Sequence, residues 1–319
     1  MSAPAGSFSK ALGLAGFAER AKEGGGFLFL GRAGEGKFSA AKEIAAELLE
    51  TTPERLLQNP DAILVDLLFA KEKEEDLEKI GRRTSLSQER RVSRGVRTDA
   101  FGSDDARQLA EELARRPLGA RKILLFRRAE RLTEPATNTL LKTLEELASQ
   151  TLVIFTAATA ENLLPTLASR LSARRLPALS LAKSAELLEE IFPGKNAKER
   201  AKALRAAAGR AGRAAELLEE GNAADFNDLF IFAERISDAL AGKALAPRAA
   251  LAESLRKELP ARLLPDAIQL LAAEIQRQVR EGREDSGALL RKFLLTNQRL
   301  SSAGNPQLAL QFAEALLPV

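Results

Sequence analysis

Short apolar runs alternate with amphipathic segments over the first half of the chain. The runs FLFL (27–30), KILLF (122–126) and TLVIFT (151–156) are typical of buried parallel strands. Helical spacing of apolar residues follows at 39–50, 103–116, 133–147 and 161–172, although Pro165 interrupts the last segment. Ser103 and Thr133 stand where helix N-caps are expected. Repeated strand–helix units predict an α/β fold, with a parallel sheet covered by helices on both faces.

The pattern changes near residue 178, after which no strand-like run occurs. Short amphipathic helices are predicted at 184–192, 198–208 and 211–220, and long Leu/Ala-rich helical segments begin at 225. We therefore predict three parts: an α/β domain at 1–178, a small helical domain at 179–222 and an all-helical domain at 223–319.

Residues 71–97 interrupt the α/β pattern with a dense run of charge. Six Arg and one Glu lie between Arg82 and Arg97. One interpretation is a solvated, mobile surface loop, and the other is an arm that contacts nucleic-acid phosphates. Because no aromatic residue lies in this stretch, base stacking is not expected there.

Composition excludes several kinds of chemistry. The chain has no Cys and no His, so disulfides, Cys/His zinc sites, thiol nucleophiles and histidine bases are ruled out. Trp and Tyr are also absent, and Met1 is the single methionine, which indicates either strong compositional bias or deliberate sequence design. The net charge of +4 permits contact with nucleic acid without arguing for it. No metal site is predicted.

No targeting or membrane segment is visible in the sequence. The N-terminal region lacks an apolar core of signal-peptide length and carries Glu19 and Glu23. No run approaches the roughly 20 apolar residues that a membrane-spanning helix needs. We therefore expect a cytoplasmic protein with no membrane partner.

The segment GRAGEGK at 31–37 carries the clearest chemical motif. It follows a predicted strand, opens a predicted helix, and places Gly31, Gly34, Gly36 and Lys37 in the G-x-x-x-x-G-K spacing of a phosphate-binding P-loop. Glycines allow backbone N–H groups to converge on phosphate oxygens, and the lysine reaches the outer phosphates. The predicted ligand is ATP, ADP or phosphate.

Three residues remove the partners that a hydrolytic P-loop needs. Phe38 stands where a Ser or Thr hydroxyl would bind Mg²⁺. Arg127 and Arg128 follow the KILLF strand, where an acidic pair would hold the metal and orient water. We therefore predict a loop without a competent Mg²⁺ site. Three properties of this loop stay open: it binds phosphate, it binds nucleotide weakly, or it keeps the shape of a P-loop without binding either.

A longer signature runs from residue 122 to residue 171. It contains AERLT (129–133), Asn138, LLKTLEE (140–146), LLPT (163–166) and the pair Ser169–Arg170. The signature resembles the AAA+ clamp-loader family, most closely the delta-prime subunits of bacterial DNA polymerase III clamp loaders. The resemblance is good over 25–220 and looser to the end, where NPQLAL (305–310) looks like the closing collar helix. It implies a RecA-like AAA+ domain, a helical lid at 179–222 and a helical collar at 223–319.

The resemblance also implies residue roles. Arg170 matches the arginine finger that reaches into a neighbouring subunit's ATP site, and Arg213 matches the lid arginine that touches a nucleotide's outer phosphates. Leu171 replaces the family's Cys, and Ala157 falls where a polar sensor residue is expected. The family's zinc module is missing because the chain has no Cys.

The function implied is that of a non-hydrolytic clamp-loader subunit, which supplies Arg170 in trans while a sliding clamp is loaded onto primed DNA. The implied partners are ATPase motor subunits, the clamp-opening subunit, the sliding clamp and primer-template DNA. Two alternatives stay open: an active AAA+ ATPase, such as a motor subunit or helicase loader, and a stand-alone DNA-binding scaffold on a degenerate AAA+ frame. An engineered, reduced-alphabet version of the fold is a further possibility.

Overall fold

A computed structural model describes residues 7–65, 101–146, 149–219, 223–241 and 263–281. The charged segment 71–97 and the predicted closing helix at 305–310 lie outside these ranges. The chain forms two compact units, Met1–Pro193 and Gly194–Val319. The three-part division at 178 and 222 stays a prediction.

The first unit contains a five-stranded parallel sheet. Its strands are β1 (Gly25–Leu30), β2 (Ala62–Val65), β3 (Lys122–Phe126), β4 (Thr151–Ala157) and β5 (Ser172–Arg175), in the order β2-β3-β4-β1-β5. All four pairings are parallel, so the carboxyl ends of the strands share one edge of the sheet. The predicted α/β class and the strands predicted from the three apolar runs are confirmed.

The described residues of this unit form the α-helices α1 (Ser7–Ala11), α2 (Phe17–Arg20), α3 (Lys37–Leu48), α4 (Ser103–Ala114), α5 (Glu134–Glu145), α6 (Pro165–Ala168) and α7 (Leu181–Ile191). Thr133 caps α5 as predicted, because its hydroxyl oxygen accepts the Ala136 N–H at 3.3 Å. The predicted Ser103 cap is wrong by one residue. Gly102 is the N-cap, and its N–H donates to the Asp105 carboxylate at 3.0 Å.

The core of this unit lies where α4 and α5 pack against the sheet. Phe126 of β3 lies between Phe101 and Phe155, with ring centroids 5.0 Å and 5.3 Å away. All three rings are fully buried. Large buried aromatic side chains dominate the apolar area removed from water, so this cluster holds the ends of β3 and β4 in place.

The predicted helix at 161–172 is wrong in extent. Pro165 is the first residue of the short helix α6, a position where its missing N–H costs nothing. The chain then enters β5, an edge strand with all four residues exposed, which pairs with β1. An exposed edge strand carries no apolar run, so its sequence, SARR, gave no strand signal.

The second unit is helical over its described residues. It contains α8 (Ala197–Ala206), α9 (Ala211–Leu218), α10 (Ala223–Ala241) and α11 (Leu264–Arg280). Asn196 and Glu199 form a reciprocal capping box at the start of α8, with bonds of 2.9 Å and 3.1 Å. Within the described ranges, no helix is long and apolar enough to cross a membrane.

Candidate functional site

The P-loop forms at the carboxyl edge of the sheet, between β1 and α3. Positive φ angles of 152°, 82° and 94° occur at Gly31, Gly34 and Gly36. The Gly31 N–H donates to the carbonyls of Ala157 and Ala158 at 3.2 Å, which ties the loop to the end of β4. The structure therefore brings the predicted loop residues together in the expected strand–loop–helix setting.

Lys37 closes this loop on itself. Its ammonium donates to the backbone carbonyls of Gly31 at 2.5 Å and Arg32 at 2.7 Å, and the residue is only 8% exposed. Burial lowers the pKa of Lys37 to about 8, the Glu130 carboxylate opposes that shift, and the Arg127 guanidinium adds to it. The lysine thus bonds to the backbone oxygens of its own loop.

Two of the three departures from a hydrolytic P-loop, Phe38 and Arg127, contact each other. The Arg127 guanidinium lies over the Phe38 ring, 5.6 Å from its centroid, in a cation–π arrangement. Arg127 is held at the end of β3 because its N–H donates to the Val65 carbonyl at 2.8 Å. A cation and an apolar ring therefore stand where an AAA+ ATPase would place an acid and a hydroxyl. These side chains do not fit Mg²⁺, which takes oxygen ligands.

Arg128 adopts a left-handed backbone conformation, with φ of 63°. Its N–H donates to the Thr156 hydroxyl oxygen at 3.2 Å. Sequence reasoning missed Thr156, although a polar residue ending the buried run TLVIFT was an available signal. Its hydroxyl stabilises the turn after β3.

The N-terminal helix α1 lies against the P-loop, which sequence reasoning also missed. A Cβ built on Gly36 would lie 2.3 Å from the nearest Phe8 ring atom, so the ring rests directly on that glycine. The Glu43 carboxylate of α3 accepts the N–H groups of Phe8 at 3.0 Å and Ser9 at 2.8 Å. Helix α1 is thereby fixed to the same helix that the P-loop opens.

Replacing Gly36 with alanine is expected to lower the free energy of unfolding by about 1–3 kcal/mol, from positive-φ strain and overpacking. The new methyl group would overlap the Phe8 ring at a φ of 94°. Urea unfolding of the full chain measures the loss, with Gly194→Ala as the control because a Cβ there meets nothing within 4 Å. Combining Gly36→Ala with Phe8→Ala should recover the steric part. Equal losses of unfolding free energy in Gly36→Ala and Gly194→Ala would contradict this account.

Arg170 lies at the other end of β1 from the P-loop. A Cβ built on Gly26 would lie 3.6 Å from the Arg170 carbonyl oxygen and 2.6 Å from a Leu171 side-chain carbon. The five residue-to-residue steps from Gly26 to Gly31 span roughly 16 Å, at about 3.3 Å per step in a strand. Arg170 is therefore too distant to act on the P-loop of its own chain. The missing side chain at Gly26 also makes room for Leu171, the replacement for the family's Cys.

The Arg170 side chain is 36% exposed and is held in one orientation. Its Nε donates to the Glu145 carboxylate at 2.7 Å, its Nη2 donates to the same oxygen, and its Nη1 donates to the Thr166 carbonyl at 2.9 Å. Glu145 belongs to the LLKTLEE run at 140–146. Its pairing with an arginine 25 residues away was not visible from that run.

Arg213 lies in the second unit, at the start of α9. Its Nε donates to Asp266 of α11 at 2.9 Å, and its Nη1 donates to Glu216 at 3.0 Å. The other Asp266 oxygen accepts from Arg210 at 2.7 Å. The predicted phosphate-contacting arginine is thus engaged by two carboxylates in the structure. Sequence reasoning missed Asp266, which lies 53 residues further along the chain.

A parallel sheet with this strand order, and with a P-loop directly after β1, is the core of a RecA-like AAA+ protein. The family model described as "DNA polymerase III, delta subunit" matches residues 13–180, more than half of the chain. The chain therefore belongs to the DNA polymerase III delta subunit family, within the clamp-loader AAA+ proteins. The resemblance stated from the sequence is confirmed at this level.

One solved structure supports the fold, and two more distant ones are similar to the chain. The Thermotoga maritima DNA polymerase III gamma subunit-related protein has a TM-score of 0.53 and 17% identity, with 96% of this chain and 97% of that chain covered. The Thermotoga maritima RuvB Holliday junction branch migration motor scores 0.42, with 15% identity and coverage of 81% and 82%. The Aeropyrum pernix Orc1 protein, solved in complex with DNA, scores 0.38, with 15% identity and coverage of 87% and 84%. The first likeness supports the AAA+ architecture, and the other two are too distant to add to it. No curated protein matches the sequence significantly.

Proposed function

We propose that this chain is a non-hydrolytic clamp-loader subunit of the delta-prime type. It supplies Arg170 in trans to the ATP site of a neighbouring motor subunit while a sliding clamp is loaded onto primer-template DNA. The contact between Phe38 and Arg127 carries the proposal, because it puts a cation over an apolar ring where a motor subunit needs oxygen ligands for Mg²⁺.

The position of Arg170 supports the second half of the proposal. Its guanidinium is partly exposed, and it lies beyond the reach of the P-loop of its own chain. An arginine that neutralises charge on a transferring phosphoryl group can therefore act only on a nucleotide held by another subunit. The proposed partners are ATPase motor subunits and the clamp-opening subunit, with the helical region 223–319 as the proposed oligomerisation domain.

The isolated chain is expected to show no Mg²⁺-dependent ATP hydrolysis. Adding Mg²⁺ should also leave the thermal midpoint measured with ATP unchanged, whereas a ligand at 100 times its Kd would stabilise a protein by about 2.7 kcal/mol. Phosphate release and thermal unfolding of the purified chain measure both. Phe38→Thr combined with Arg127→Asp, which restores a hydroxyl and a carboxylate, should introduce a Mg²⁺-dependent shift.

Lys37→Ala is the control for contaminating ATPases, since it removes the P-loop ammonium. Activity that persists in this variant comes from another protein. Mg²⁺-dependent hydrolysis by the unmodified chain that disappears in Lys37→Ala would contradict the proposal and favour an active AAA+ ATPase.

A further inference from the structure

The Arg170 guanidinium has two edges that matter here: a side edge formed by Nε and Nη2, and an end edge formed by Nη1 and Nη2. Three of its donors are used within the chain: Nε and Nη2 bond to one Glu145 oxygen, and Nη1 bonds to the Thr166 carbonyl. A guanidinium has five N–H groups, one on Nε and two on each Nη. One N–H on each Nη is therefore left, and no described residue accepts a hydrogen bond from these two. Because Nε and Nη2 share one Glu145 oxygen along the side edge of the guanidinium, the second N–H of Nη2 lies on the end edge beside Nη1, and this edge suits phosphate oxygens.

Glu145 holds the guanidinium from a fixed element. It is the last residue of α5, whose start is capped by Thr133 and whose inner face buries Ala136 and Leu140. Arg170 itself lies in the short connection between α6 and β5. The carboxylate thus ties a side chain on a connecting segment to the end of a packed helix.

Stability is a poor explanation for this pair. The two side chains are 36% and 50% exposed, and ion pairs that exposed contribute little to the folded state because water screens them. The contact does, however, restrict a side chain that is otherwise rich in rotamers. Its geometry leaves the outward end of the guanidinium open.

We propose that Glu145 is a positioning residue for Arg170. The Glu145 carboxylate holds the side edge of the Arg170 guanidinium, so that the end edge meets a phosphate of the neighbouring subunit's nucleotide. This inference rests on the proposed function. Binding the phosphate end-on requires no break in the Glu145 contact, so the finger is oriented before the subunits meet. Pre-orientation lowers the entropic part of the barrier for the neighbouring subunit's reaction.

The test uses a ring reconstituted from the full chain and its cognate motor subunits, with the clamp and primed DNA present. Glu145→Ala is expected to lower the kcat for ATP about tenfold, as misorientation of a transition-state contact does, with the KM for ATP unchanged. Glu145→Gln should retain most of the activity, since its amide oxygen still accepts the Nε–H. Glu145→Lys should lose at least as much activity as Glu145→Ala, because it repels Arg170. Glu146→Ala, which changes the next residue, is the matched control.

The outcomes separate this inference from the proposed function. If Arg170→Ala leaves the ring fully active, the proposed trans finger itself fails. If Arg170→Ala abolishes stimulation while Glu145→Ala and Glu145→Lys keep full activity, only the positioning role is overturned. Higher activity in Glu145→Ala than in the unmodified chain would also overturn it, and would mean that the carboxylate competes with the phosphate. Urea midpoints and ring assembly by sedimentation confirm that each variant is folded and incorporated.

Discussion

Arg170→Ala is expected to lower ATP turnover at the neighbouring site by about 10³-fold or more, the range found for arginine fingers in phosphoryl transfer. The guanidinium supplies N–H donors and a fixed positive charge, and alanine removes both. Because Arg170 lies at the opposite end of β1 from its own P-loop, the effect should be seen only in the assembled ring. Single-turnover hydrolysis by the reconstituted loader measures it.

Two further variants make this measurement specific. Arg170→Lys keeps a positive charge but loses the planar fork, so it should recover only a small part of the rate. Arg107→Ala removes an exposed arginine of α4 that pairs with Asp104 and should leave the rate unchanged. Full activity from the Arg170→Ala ring would reduce the chain to a scaffold, whereas equal losses in both alanine variants would indicate a general effect of charge.

The fold was largely predictable from the sequence where buried elements consist of apolar residues. Strands β1, β3 and β4 are central and covered on both faces, so they appear as continuous apolar runs. Strand β5 pairs with β1 and exposes its four side chains, so its sequence contains no apolar run that would predict a strand. Strand β2 is a four-residue apolar run, AILV, and a run that short does not distinguish a strand from a buried helix segment.

Parts of the candidate site were also predictable from the sequence, and other parts were not. The P-loop was predictable because its glycines and Lys37 lie within seven residues of sequence, and the replacement of metal ligands by Phe38 and Arg127 was visible at known offsets. The contact between those two residues was not visible, since it depends on β3 and β1 lying on either side of β4. Contacts between distant segments follow from packing, which leaves no local signal in a single sequence.

Asp266→Ala is expected to cost about 3–5 kcal/mol of unfolding free energy, the usual result of removing one partner of a buried ion pair. The Arg210 side chain is only 4% exposed, and its Nη2 donates to Asp266 at 2.7 Å. Without the carboxylate, that buried guanidinium loses its ion pair with Asp266, although its Nε still donates to the Ala207 carbonyl at 2.7 Å. Arg213 loses the same partner, so α9 and α11 are no longer joined by these ion pairs.

Urea unfolding of the full chain, followed by circular dichroism, measures this loss, and the transition of the second unit is the one that should move. Arg277→Ala is the control, since the Arg277 side chain is 48% exposed where it pairs with Glu274 of α11 and with Glu281 just past the helix, and its loss should cost at most about 1 kcal/mol. Asp266→Asn keeps one acceptor oxygen, so its loss of unfolding free energy should lie between those of Asp266→Ala and Arg277→Ala. If Asp266→Ala cost no more than the control, Arg213 would not be committed to this pair, and its predicted contact with a nucleotide's outer phosphates would become the better account of that arginine.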